Sequence, residues 1–154
     1  MDVDVVPEAS TANLQRLCDA LNTLQPRWRI DDVSAGLKID GRRLEPRHIL
    51  GSSIAIGLVT SAGMVDVVLE PRGFEGGYTD LVGSAITVDV DGTAIRVGAL
   101  VDLITSKQLL GREKDREHLP VLAARYAELT QEIGPQLGPR RHSRDLDSGP
   151  DLGL

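Results

Sequence analysis

Apolar positions follow two periods along this chain, and the changes between them mark out its elements. Met1-Asp2-Val3-Asp4-Val5-Val6 alternates with a period of two and predicts a short strand with Asp2 and Asp4 on one face. Ser10 is a good N-cap, and Leu14, Leu17, Cys18, Leu21 and Leu24 recur at helical spacing, predicting an amphipathic helix that ends before Pro26. Arg27 to Ile30 suits a strand, and the stretch from there to about Leu50 shows no clear period. Two β-hairpins follow. In the first, Ile54, Ile56, Leu58 and Val59 lead through Thr60-Ser61-Ala62-Gly63 to a returning arm, Met64 to Leu69. After a loop rich in glycine and a short segment opening at Tyr78, the second pairs Ile86, Val88 and Val90 with Ala94, Ile95 and Val97 across Asp91-Gly92, a preferred type I′ turn. Beyond Gly98 the period becomes helical: one helix carries Leu100, Leu103 and Ile104 to about Leu110, and Gly111-Arg112 breaks it. A second helix from Lys114 or Asp115 to about Ile133 turns Leu119, Leu122, Ala123, Tyr126 and Leu129 inward. The fold class expected is α+β with a mixed sheet, two β-hairpins and a C-terminal helical pair. Residues 1–133 form the domain, and residues 134–154, with few large apolar side chains, are expected to be a disordered tail.

Composition narrows the class of protein. A length of 154 residues suits one domain, and 41% hydrophobic with 26% charged residues is ordinary for a globular chain. No apolar run approaches the roughly 20 residues needed to cross a bilayer. The start lacks the charge and hydropathy blocks of a secretory signal, and the single cysteine, Cys18, cannot form an intramolecular disulfide, so a cytoplasmic location is expected. Cys18 lies on the apolar face of the first helix and reads as a core residue. The net charge of -6 argues against generic nucleic-acid binding, although Arg27, Arg29, Arg42, Arg43 and Arg47 lie close together along the chain.

Candidate chemistry rests on carboxylates. On one face of a strand, Asp2 and Asp4 can share a hard divalent cation such as Mg2+, and the same spacing also suits a polar, fraying terminus. Asp66 is a lone carboxylate in the apolar run Met64 to Leu69. Three acids on two neighbouring strands suit metal-assisted phosphoryl or nucleotidyl transfer. Asp89 and Asp91 repeat the D-x-D pattern at a hairpin tip, where the turn itself calls for aspartate. His48, His118 and His142 are scattered without metal-ligand spacing, and Trp28, between two arginines, reads as a packing residue ahead of a base-stacking platform.

Four segments carry a resemblance: Asp2-Val3-Asp4-Val5-Val6-Pro7, then Asn13-Leu14-Gln15-Arg16-Leu17, then Gly63-Met64-Val65-Asp66-Val67-Val68, and last Val97 to Lys107 closed by Gly111-Arg112-Glu113-Lys114-Asp115. In this order they resemble the nucleotidyltransferase superfamily, and within it the bacterial AbiEii/MenT-like toxins and related nucleotidyltransferase-like proteins, over roughly residues 1 to 130. The resemblance implies that Asp2, Asp4 and Asp66 are metal ligands for Mg2+. It further implies that Asp66, Lys107 and Asp115 are catalytic, and that Lys107 and Arg112 bind the phosphates of a nucleoside triphosphate. The implied reaction moves a nucleoside monophosphate to a hydroxyl of tRNA or of a protein, in the toxin of a toxin–antitoxin pair partnered by an antitoxin protein. Members of the superfamily place a Gly-Gly or Gly-Ser segment ahead of the paired aspartates. Here Asp2 follows Met1 directly, and Gly51-Ser52 comes after them, so the expectation is either a start set too late or an N-terminally trimmed member. The alternative function is that of a truncated, non-catalytic nucleotidyltransferase-like protein that binds a protein partner.

Overall fold

A computed structural model describes residues 2–30, 35–39, 41, 43–52 and 55–133 of the chain, although not the side chains of Asp2, Glu132 and Ile133. The expected tail at 134–154 and the first arm residue Ile54 lie outside the described residues. Within them the fold is α+β, with a mixed five-stranded sheet, a separate two-stranded sheet and five helices.

The elements follow the periods read above. Strand β1 spans Asp2–Val5 and helix α1 Thr11–Thr23, whose apolar side seats Leu14, Cys18 and Leu21 in the core. Short strands β2 (Arg27–Trp28) and β3 (Leu37–Lys38) precede α2 (Pro46–Leu50). The first hairpin is β4 (Ala55–Thr60) and β5 (Gly63–Val68), followed by α3 (Tyr78–Leu81). The second is β6 (Ile86–Val90) and β7 (Thr93–Val97), and the chain continues into α4 (Leu100–Leu110) and α5 (Glu113–Ile133).

The order of the main sheet is β1-β5-β4-β2-β3, with β1 parallel to β5 and the remaining pairs antiparallel. Because side chains alternate across a sheet, one face receives Ile56, Leu58, Val65 and Val67 and packs beneath α1. Burying that face against Leu14, Cys18 and Leu21 is the main source of cohesion, each side chain contributing about 1.5–3 kcal/mol by removal from water. Asn22 ties the irregular stretch onto this core: its side chain both donates to Leu44 O (2.9 Å) and accepts from Leu44 N–H (2.8 Å). That double bond seats Leu44 in the core without regular structure around it. Helix α2 shows no helical period in the sequence because it is a single short turn. It is set by Pro46 at its start and by a capping box in which Glu45 N–H donates to His48 Nδ1 (3.0 Å). His48 in turn meets the half-buried Trp28 edge to face, with ring centres 5.7 Å apart. Trp28 is therefore a packing residue.

The opposite face of the main sheet carries Asp4, Asp66 and Gly57 side by side. The buried apolar cluster draws its members from Leu14 to Val67, with Leu69 packed at its margin; β6, β7, α4 and α5 contribute none. In that second half the buried polar side chain is Asp115. Glycine sets the breaks: Gly111, at φ +61°, ends α4 in the left-handed conformation, and Asp91 with Gly92, both at positive φ, make the turn between β6 and β7.

Candidate functional site

Two clusters form from the residues singled out above. The first lies on the sheet face turned away from α1. Strands β1 and β5 run parallel with Asp4 directly opposite Asp66, so residues 62 positions apart in sequence project from the same face as neighbours. Asp2 pairs with Met64 one step further along the same face; its side chain lies outside the described residues. Asp4 is exposed and Asp66 half-buried.

Arg29, a residue absent from the sequence-based site, completes this cluster. Its Nη2 donates to Asp66 Oδ2 at 2.8 Å, with each side chain about one-fifth exposed. The other carboxylate oxygen, Oδ1, is buried and has no hydrogen-bond partner among the described residues. A buried acceptor without a donor costs about 1–3 kcal/mol in desolvation, which makes it a natural seat for a water or a cation. No local signal announces Arg29. Its partner stands 37 residues away and becomes a neighbour only through pairing of β2 with β4 and β4 with β5.

The second cluster joins the ends of α4 and α5. Asp115 is fully buried, and its carboxylate accepts from Lys107 Nζ at 3.1 Å and from Arg112 Nε at 2.6 Å, with Arg112 Nη2 at 3.3 Å from the first oxygen. These hydrogen bonds, Arg112 first, outweigh burial and hold the Asp115 carboxyl down at about 2. The same contact raises the Arg112 guanidinium, to which the charge of Asp4 adds. Thus Asp4 and Arg112, from opposite ends of the described chain, act on one another electrostatically. Local sequence explains the grip, since Gly111 turns the chain so that Arg112 and Asp115, three apart at the start of α5, face back to Lys107 one turn before the end of α4.

The structure thus brings together Asp4 with Asp66, and Lys107 with Arg112 and Asp115. Among the described residues no three His, Cys, Asp or Glu side chains converge to hold a metal. The donor set that fits a hard cation is the Asp4–Asp66 pair with its orphaned Oδ1; carboxylate oxygens are the ligand type that Mg2+ prefers. Neither protein-family models nor curated proteins match this chain.

A cleft of about 440 Å3, lined by Glu8, Glu70, Glu75 and Tyr78 among others, opens beyond the C-terminal ends of β1 and β5. Cys18 has no exposed surface, and burial pushes its thiol up, so it is a core residue. No helix among the described residues is long and apolar enough to cross a membrane.

Proposed function

We propose that this chain is a metal-dependent nucleotidyltransferase that moves a nucleoside monophosphate from a nucleoside triphosphate to a hydroxyl of RNA, in particular tRNA, or of a protein. The observation that carries the reading is the register of β1 against β5, which sets Asp4 beside Asp66 with one carboxylate oxygen unsatisfied. In this reading Asp4 and Asp66, with Asp2 beside them on β1, hold Mg2+. When bound, the cation supplies charge neutralisation at the attacking and leaving oxygens of an in-line transfer.

The chain's own groups have separate tasks. Asp66 accepts the proton of the attacking hydroxyl, since it is the half-buried member of the pair and its oxygen lacks a donor. Lys107 and Arg112 supply positive charge toward the triphosphate. Two cations share the single Asp115 anion, which leaves a net positive charge on a braced support. Asp115 acts by orienting them. The family resemblance extends the proposal to a cytoplasmic toxin of a toxin–antitoxin pair.

Transfer of α-labelled nucleotide to total tRNA or to protein tests this directly. Asp4→Ala and Asp66→Ala are expected to lose at least a hundredfold in labelling; labelling equal to that of the unaltered chain refutes the metal site. A second reading, a non-catalytic module that binds a protein partner, draws on the β6–β7 hairpin. There Ile86, Val88, Val90, Ile95 and Val97 share one face and are all exposed. A chain that labels nothing yet retains a partner protein through this face would favour that reading.

A further inference from the structure

One row of the main sheet reads Arg29, Gly57, Asp66, Asp4 across four neighbouring strands or their extensions. Arg29 N–H donates to Gly57 O at 2.9 Å, continuing the pairing of β2 with β4, while Gly57 faces Asp66 and Asp66 faces Asp4. The position of glycine in this row has a steric reason. A Cβ on residue 57 would stand 2.9 Å from Arg29 Nε and 3.1 Å from Nη2, so the guanidinium lies in the space a side chain would fill. Its absence lets Arg29 cross β4 and bring Nη2 within 2.8 Å of Asp66 Oδ2.

We infer that Arg29, seated over Gly57, is a built-in counter-ion that holds the aspartate pair in a state of low affinity for divalent cations. This rests on the metal-site reading of Asp4 and Asp66 given above. The guanidinium already balances one of the two carboxylates, and it is tethered, so its charge stays when an ion approaches. A cation reaching Asp66 Oδ1 therefore meets a fixed positive charge on the other oxygen of the same carboxylate. Both side chains are about four-fifths shielded, where the effective dielectric is well below that of water and repulsion at this range is weakly screened. Removing the guanidinium takes one positive charge from beside Asp66, so the charge presented to the ion becomes more negative by one unit. Because attraction for a doubly charged ion scales with that charge, removing Arg29 strengthens binding.

Titration with Mn2+ alone, followed by calorimetry at constant ionic strength, reads the effect. Arg29→Met is expected to bind Mn2+ at least tenfold more tightly than the unaltered chain. Arg29→Lys, which keeps the charge, should stay within about threefold. Gly57→Ala displaces the guanidinium without deleting it and needs no unusual backbone conformation, since Gly57 is not among the glycines at positive φ. It should shift affinity in the same direction as Arg29→Met, and it carries the test if Arg29→Met fails to fold by circular dichroism. Binding of Mn2+ by Arg29→Met no tighter than by the unaltered chain, with Asp66→Asn abolishing both, overturns the counter-ion role while leaving the metal site intact. Absence of Mn2+ binding at millimolar concentration in every variant removes the metal site, and the counter-ion role with it.

Discussion

Lys107 Nζ stands 3.1 Å from Oδ1 of Asp115, a carboxylate with no exposed surface. With Arg112 on the other oxygen, the contact is made to the ionised form, and the carboxyl sits at about 2, below its unfolded value of 3.8. A depressed carboxylate stabilises the fold fully above its unfolded value and loses that contribution as pH falls through its folded one. The stability difference between the unaltered chain and Asp115→Asn is therefore expected to be constant from pH 7 to about 5 and to shrink from about pH 4 to pH 2. Urea unfolding of both proteins across that range checks it; a difference that stays constant down to pH 2 would contradict it.

The Arg29–Asp66 pair predicts energetic coupling at a distance in sequence. Removing Arg29 leaves the half-buried Asp66 carboxylate without the donor the structure gives it, so a second substitution at Asp66 relieves part of that cost. A cycle of Arg29→Met, Asp66→Asn and the double variant should give a coupling of about 0.5–3 kcal/mol in unfolding free energy. Additive single effects would show that the ion pair contributes nothing in solution.

Cys18 has no exposed surface and a raised thiol, so it should resist a thiol reagent such as dithionitrobenzoate in the native state and react at once in urea. Cys18→Ser places a hydroxyl among Leu14, Leu58 and their neighbours and should cost about 1–3 kcal/mol. Rapid labelling of the native protein would mean that the core around α1 opens readily.

Gly77 sits at φ +57°, and a Cβ there would come within 2.1 Å of Leu69 O. Both the backbone conformation and the close approach exclude a side chain. Gly77→Ala should destabilise by about 2 kcal/mol or more, against less than about 0.5 kcal/mol for alanine at Gly83, where nothing stands within 4 Å. Equal melting temperatures for the two variants would refute the assignment.

Much of the element order was legible in the chain because it is written in local chemistry. The spacing of Leu14, Cys18 and Leu21 specifies the buried side of α1, Asp91-Gly92 specifies its turn, and Gly111 specifies the break between α4 and α5. Helix α2 leaves no such mark in the chain, since a single turn set by Pro46 and a Glu45–His48 cap has no period. The placement of β6 and β7 in a sheet of their own was equally out of reach, because alternation shows that strands exist without showing which edges they join.

The D-x-D at the chain's start has a comparable division. By itself the sequence determined that Asp2 and Asp4 share a strand face and that Asp66 interrupts an apolar strand. Only the tertiary structure decided that Asp4 stands opposite Asp66, that Arg29 reaches it over Gly57, and that Asp115 is buried between Lys107 and Arg112. The physical reason is one of range. Periodicity and turn preference act over a few residues, whereas strand register is fixed by which apolar face must be buried beneath α1, and that choice sets the polar face only as its consequence.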